Sequence, residues 1–413
     1  MTLRILVASD LHANVDRSPN RNDTYILTEP PVARRSLHPL ADLERWLAQE
    51  GETFDYLIVP GDIANQDDSA GLAYAWDRLS QIATRVGAKL IGAPGNHDVT
   101  THEPVSDRQA NLKALTPSFP TLNPTRDARF WSDGWLLLDD EPGHSILILD
   151  STANFPPYPT GASKRSRAYK DYLVELDRGS FSEAVEEALE DAFDAAPEKL
   201  NIAVVHHHPI EHQNVSHLRD TYGAMNRGGD LIDLLSRHPH MGRWIVIHGH
   251  KHIPQLVNSV SATANGPLVL CAASLGHKLW DPITTDVRNQ FHILEATNSP
   301  ASGLSTIRGK VRSYYWGYAK GWQESPPEGC GLPWHSGFGC TDDPRTLGNQ
   351  IISLMDDPSA PLDLIKIQDL HERFPQINFQ LPSDAKLLRE YLALNGFEFT
   401  EYRRREVELG RST

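Results

Sequence analysis

An α/β layered domain followed by a small, mainly helical C-terminal module is the architecture this amino-acid sequence predicts. Short apolar runs of strand length recur at residues 5–8, 56–59, 89–92, 135–138, 146–149, 202–205, 244–247 and 268–271. Several are continuous rather than alternating, which suits strands covered on both faces. Between many of them lie helical patterns, such as Leu37, Leu40, Leu43 and Leu47, and the stretch 182–195. Ser182 followed by Glu183, Glu186 and Glu187 has the form of a capped helix start with acidic residues in its first turn.

Residues 289–295 and 307–318 alternate well enough to close the same domain. From 323 to 345 the chain is rich in Gly and Pro and reads as a linker. Beyond it, 347–355, 362–374 and 383–395 look helical, with Ser383-Asp384 as a start and Gly396 as a stop. The expected organisation is therefore a main domain at 1–322, a linker at 323–345 and a helical accessory module at 346–413.

Bulk properties narrow the function classes. Hydrophobic residues make up 39% and charged residues 23% of 413, a soluble globular composition that can bury a large core. No run approaches the roughly 18 to 20 apolar residues of a membrane span, and the strand-like start Met1-Thr2-Leu3-Arg4-Ile5-Leu6-Val7-Ala8 has no cleavage site after it. A cytoplasmic location is expected. Cys271, Cys330 and Cys340 are too few and too scattered for a disulfide framework, and Cys330 and Cys340 bracket His335 at no usual zinc spacing. The formal charge of −15 disfavours long nucleic acid as an obligatory partner, because phosphate binding needs basic surface.

Chemistry-bearing residues gather just after predicted strands. Asp10-Leu11-His12 follows the first, Gly61-Asp62 the second and Gly95-Asn96-His97-Asp98 the third. His206-His207-His208-Pro209 follows 202–205, and His248-Gly249-His250-Lys251-His252 follows 244–247. Ligands collect at the carboxyl ends of strands in layered α/β sheets, so five such ends point at one shared site. A carboxylate can bridge two divalent cations roughly 3.5 to 4 Å apart, and Asp62 is the candidate bridge. Imidazoles and an Asn amide oxygen add neutral ligands that leave the ions Lewis acidic, a mixture suited to manganese, iron or zinc. Each motif alone is weak, since Asp-x-His or Gly-Asp also occurs as a plain turn or cap.

All five together, in this order, resemble the calcineurin-like metallophosphoesterases, in particular bacterial phosphodiesterase-type members. Their pattern is Asp-x-His, Gly-Asp, Gly-Asn-His-Asp/Glu, a strand-end His and Gly-His-x-His, and every block is present between Asp10 and His252. The resemblance implies a sandwich of two mixed β-sheets flanked by helices. It implies Asp10, His12, Asp62 and His252 as ligands of a first metal, and Asp62, Asn96, His207 and His250 as ligands of a second. His207 is preferred over His206 because the family often places this ligand two residues before a proline, here Pro209. His97 is implied to bind no metal but to face substrate, where it protonates the departing alkoxide or stabilises charge on the phosphoryl group, with Asp98 orienting it and a hydroxide on the metals as nucleophile.

Weaker features have plainer explanations beside functional ones. The basic run Lys164-Arg165-Ser166-Arg167 with Lys170 could hold a distal phosphate, although charge runs usually face water; Arg403-Arg404-Arg405 is weighed alike. His102, His212 and His217 could line the pocket. Tyr314, Tyr315, Trp316, Tyr318 and Trp322 could stack on a base or simply seal the domain. The leading expectation is a metal-dependent hydrolase of phosphate esters, a phosphodiesterase acting on small nucleotides or related diesters. The alternatives are a DNA or RNA nuclease on the same dinuclear core and a non-catalytic metal-binding scaffold. The C-terminal module is a candidate for binding an unknown protein partner.

Overall fold

The computed structural model describes residues 2–15, 23–28, 37–194, 196–211, 223–260, 266–279, 283–298, 304–357, 363–403 and 406–411. The elements run β1 (Thr2–Val7), α1 (Pro39–Glu50), β2 (Tyr56–Val59), α2 (Ser69–Val86), β3 (Lys89–Gly92), α3 (Ala110–Lys113), α4 (Pro124–Asp133), β4 (Trp135–Leu138) and β5 (His144–Leu149). They continue through α5 (Arg167–Arg178), α6 (Glu183–Asp194), β6 (Leu200–Val204), α7 (Gly228–Arg237), β7 (Trp244–His248), β8 (Gln255–Asn258), β9 (Leu268–Cys271), β10 (Gln290–Asn298), β11 (Leu304–Gly317) and β12 (Gly321–Glu324). The chain divides into two compact units, one of residues 3–294 with 313–334 and one of 1–2, 295–312 and 335–413.

In the larger unit two mixed sheets have the strand orders β12-β11-β10-β1-β2-β3 and β4-β5-β6-β7-β9-β8. β1, β2 and β3 are parallel, as are β5, β6, β7 and β9, whereas the edge strands β4 and β8 pair antiparallel. The continuous apolar strands are buried along their whole length, as at Tyr56–Val59 and Leu200–Val204, because helices cover their outer faces. α2 shows how. Leu72, Ala75, Trp76, Leu79, Ile82, Ala83 and Val86 form one buried stripe at helical spacing. Asp68 caps its first turn by accepting the Gly71 N–H, and Gly87 ends it at φ 73°.

The second sheet is backed by α6 and α7, whose Leu189, Phe193, Leu231 and Leu235 pack on Leu147, Leu149, Val205 and Trp244. Burying each such Leu contributes about 1.5–3 kcal/mol, so this layer fixes where β5, β6 and β7 end. Between the sheets, the Tyr56 hydroxyl and His144 Nε2 lie 2.7 Å apart. The aromatic residues 314–322 act as packing. Phe291 stacks on Tyr314 with ring centroids 4.9 Å apart, Trp46 of α1 meets both, and Trp322 Nε1 donates to the Pro39 carbonyl. They seal α1 onto the first sheet.

The smaller unit contains β13 (Ser336–Cys340), α8 (Pro344–Met355), β14 (Leu364–Lys366), α9 (Ile367–Arg373), α10 (Pro382–Leu394), β15 (Phe397–Arg403) and β16 (Glu406–Arg411). β14, β16 and β15 form an antiparallel sheet in that order, over a core of Leu347, Ile351, Leu370, Leu388, Leu392 and Leu409. Three helices with a small three-stranded sheet make up this mainly helical module. The stretch 323–345, read as a linker, holds the end of β12 and all of β13. Alternating residues such as Phe397, Phe399 and Leu409 are strand-forming, but a hairpin this short is stable only on the helices it covers. α10 leaves Leu387 and Leu394 exposed. Among the described residues no helix is long and apolar enough to cross a membrane.

His292 of β10 is a buried neutral imidazole. Its Nε2 accepts the Ala273 N–H at 3.2 Å, so the proton sits on Nδ1, which donates to Ser313 Oγ at 2.9 Å. Burial pushes its pKa down to about 3 from 6.5. The unfolded chain therefore takes up this proton first, and the stability His292 contributes is complete above pH 6.5 and lost progressively as pH falls toward 3. We predict that a His292→Asn variant, less stable at pH 8, loses stability less steeply than the native protein between pH 6 and 4. Guanidinium unfolding across that range reads the difference, at most about 1.4 kcal/mol per pH unit.

Candidate metal centre

Five loops after β1, β2, β3, β6 and β7 converge where the two sheets meet. Asp10, His12, Asp62, His250 and His252 all adopt left-handed backbone, with φ of 51°, 50°, 50°, 76° and 59°. Each such residue costs about 1–3 kcal/mol, and this strain persists only where the surroundings fix it. Backbone bonds between the loops do so: Asp10 N–H to the Gly61 carbonyl at 3.2 Å and His12 N–H to the Asp62 carbonyl at 2.9 Å. The His250 N–H donates to Asp10 Oδ1 at 3.0 Å.

The motif glycines have a packing reason. A Cβ on Gly61, at φ +92°, would strike the His206 ring, and one on Gly95 would strike the Asp62 carboxylate. Only a bare backbone lets these side chains stand so close.

The side chains form two contiguous groups. Ligand atoms of Asp10, His12, Asp62 and His252 lie within 4.8 Å of one another, and so do those of His206, His207 and His250. In the first, His252 Nε2 is 3.3 Å from Asp10 Oδ1 and 3.2 Å from His12 Nε2. Ser9 Oγ donates to Asp10 Oδ2 at 2.6 Å and steadies it. Asp62 joins the groups: its Oδ2 is 3.6 Å from His12 Nε2 and 3.3 Å from His206 Nε2. Asn96 Oδ1 faces His206 Nε2 at 3.0 Å and His250 Nδ1 at 3.1 Å.

Electrostatics match a cation-binding site. Burial works against the charge on Asp62, yet His206, His97 and His12 hold its carboxyl well below the usual carboxylate range. Burial also opposes charge on His206, but Asp62 and Asp10 overcome it and lift its pKa to about 9. His12 and His250 are pushed well down, first by burial and then by neighbouring imidazoles, which leaves their nitrogen lone pairs available. Carboxylate, amide and neutral imidazole converging on one buried point fit divalent cations.

The side chains beside the two groups differ in what they face. His207 donates through Nε2 to the Leu176 carbonyl at 3.1 Å and accepts at Nδ1 from Ser151 Oγ at 2.7 Å, so both its nitrogens are engaged away from Asp62 and Asn96. His206 faces those two instead. Asp98 is tied to the backbone. Its carboxylate accepts the Ala64 N–H at 2.7 Å and the Gly95 N–H at 2.9 Å, clamping the two loops together, and burial followed by Asp62 raises its pKa to about 7.

His97 sits half-buried beside His12, with ring centroids 4.7 Å apart. Its Nδ1 accepts the Gln66 N–H at 3.3 Å, so the neutral ring carries its proton on Nε2, and its own N–H donates to Asp62 Oδ1 at 2.8 Å.

Two neighbours were missed from the sequence. The His277 ring packs 4.7 Å from both His12 and His252, and its buried Nδ1 has no hydrogen-bond partner among the described residues. It lies six residues past β9, a strand-end position that could have flagged it. Asp177 of α5 places Oδ1 3.5 Å from His250 Nε2 while Oδ2 pairs with Lys251 at 3.1 Å, and no motif marks it. His102 is exposed and paired with Asp67, the basic side chains at 164–170 are exposed, and His212 and His217 lie outside the described residues.

The calcineurin-like phosphoesterase family matches residues 3–254, more than half of the chain. The chain belongs to this family. A second match, described as wHTH-Calcineurin_assc, covers residues 336–394. Among solved structures, the chain is similar to purple acid phosphatase PPD1 from yellow lupin (Lupinus luteus), with 15% identity, TM-score 0.46 and coverage of 78% of this chain and 53% of that one. It is similar to PhoD, with 8% identity, TM-score 0.39 and coverage of 80% and 72%, and to a 5'-nucleotidase from Candida albicans SC5314, with 11% identity, TM-score 0.39 and coverage of 77% and 53%. The chain thus spans about half the length of the purple acid phosphatase it resembles. No curated protein matches it.

Carboxylates behind metal-binding histidines raise ligand basicity, and their loss typically costs about 10–100-fold in metal affinity. Asp177→Asn is accordingly expected to weaken manganese binding within that range while leaving the thermal unfolding of the metal-free protein unchanged. Isothermal titration beside a melting curve checks both.

Proposed function

We propose that this phosphoesterase is a dinuclear metal-dependent phosphodiesterase acting on small nucleotides or related phosphodiesters. The observation that carries the reading is the position of Asp62, whose single Oδ2 faces His12 of one ligand group and His206 of the other. The assignment follows: Asp10, His12, Asp62 and His252 hold one cation, and Asp62, Asn96, His206 and His250 the other. His206 takes the place first given to His207 because its Nε2 points at Asp62 and Asn96. Bound manganese, iron or zinc would supply Lewis acidity and bring the pKa of water from about 15.7 to near 7.

The remaining work falls to side chains of the chain itself. His97, with Nδ1 fixed by the Gln66 N–H, turns its Nε2–H toward substrate as a hydrogen-bond donor to the charge that builds on the phosphoryl group and leaving oxygen. Asp98 keeps the loop of His97 in register with that of Asp62. His277, with a buried nitrogen to spare, sits on the far side of His12 and His252.

Three variants separate the roles. His97→Ala is expected to keep the full metal content and lower kcat on bis-p-nitrophenyl phosphate by about 10²–10⁴-fold. His206→Ala should lose one of two manganese ions per chain by elemental analysis, whereas His207→Ala should retain both. An Asp62→Ala protein that hydrolyses the diester at native rate would sink the proposal. A panel of cyclic nucleotides, phosphomonoesters, phospholipid head groups and labelled oligonucleotides tests the substrate class, and fastest turnover of oligonucleotides would favour the nuclease reading.

A further inference from the structure

A second cavity, of about 530 Å³, opens between the end of α4, the end of β5 and the first turns of α6. Its size is within the roughly 300–1,000 Å³ of small-molecule sites. The lining contains none of the residues of the two ligand groups; the nearest tie is Ser151, whose hydroxyl bonds His207 Nδ1 at 2.7 Å.

The wall has one sign of charge. Trp131, Trp135 and Phe181 give it aromatic surface, Asp133 and Asp150 give it two carboxylates, and among the described residues no Lys, Arg or His lines it. A phosphate or carboxylate entering here would meet like charge without a counter-ion. A cation meets carboxylate and aromatic faces together, the combination that recognises organic ammonium groups.

The acidic group is built in rather than incidental. Asp150 is only 8% exposed and is fixed by the Thr152 N–H and hydroxyl at 2.8 and 2.7 Å and by Gln109 Nε2. These hydrogen bonds offset the cost of burying the carboxylate, and among the described residues the lining adds no cationic side chain as a counter-charge. Ser180, also in the wall, carries a buried hydroxyl with no hydrogen-bond partner. That oxygen can accept an N–H that the protein itself does not supply.

We propose that this cavity binds a small organic cation, a primary ammonium carried on an aromatic body, with the ring against Trp135 and Phe181 and the ammonium toward Asp150 and Ser180. A metal ion is the poorer fit, because the wall supplies aromatic faces instead of further ligands.

The test uses the full manganese-loaded chain and matched probes that differ in charge. Isothermal titration with tyramine and tryptamine should give saturable binding of one molecule per chain, and 4-hydroxyphenylacetate, with the same ring and a carboxylate, should not bind. Asp150→Asn removes the charge, and Ala188→Trp fills the cavity from α6 without touching Asp150. Each should weaken amine binding by at least about tenfold, near 1.4 kcal/mol, while hydrolysis of bis-p-nitrophenyl phosphate without amine stays at the native rate. The proposal is overturned if neither amine binds, if the acid binds as well as the amines, or if binding survives Ala188→Trp unchanged. Should Asp150→Asn fail to fold, Ala188→Trp and the acid probe decide.

Discussion

One buried carboxylate, Asp62, sets the conditions for the rest of the centre. It is 1% exposed, and at close range its carboxylate faces His12, His206 and the His97 N–H. A charge so placed is costly without compensation, and the compensation has to come from cations or from protons standing in for them. The raised pKa of His206 reflects the same need, since the partner of Asp62 is driven to hold a positive charge despite its own burial. On the proposed assignment, metal ions would satisfy both residues at once.

Bringing ligands 240 residues apart to within hydrogen-bond range, as with Asp10 and His250, demands rigid supports. Parallel strands with buried, continuous apolar sequences supply them, and the helices behind fix the strand ends. The left-handed backbone at five ligand positions is strain paid for by this packing. Loops less tightly bonded to one another would relax, and the two groups of ligands would drift apart.

Much of this was legible in the sequence because it repeats a simple rule. Apolar strands of four to six residues, each followed by Asp, Asn or His, locate the centre, and Gly61 and Gly95 precede ligands because a side chain there would collide with them. What escaped was decided by tertiary contact. His206 and His207 are adjacent and chemically identical, and only the orientation of the ring toward Asp62 or toward Leu176 and Ser151 separates them. Asp98 lies next to His97 in sequence, yet its carboxylate turns to the backbone of a different loop. Asp177 comes from the middle of the chain on a helix with no signature, and β13 to β16 are short strands whose pairing depends on what they cover.

The most direct test of the central claim is the magnetic coupling of two manganese ions in the native protein. With Asp62 as a shared ligand, electron paramagnetic resonance of the manganese-loaded chain should show two ions per chain with an exchange-coupled spectrum. Asp62→Ala should convert it to the spectrum of isolated ions or lose one ion. Two uncoupled ions in the native protein, or a coupled pair that survives in Asp62→Ala, would contradict the account.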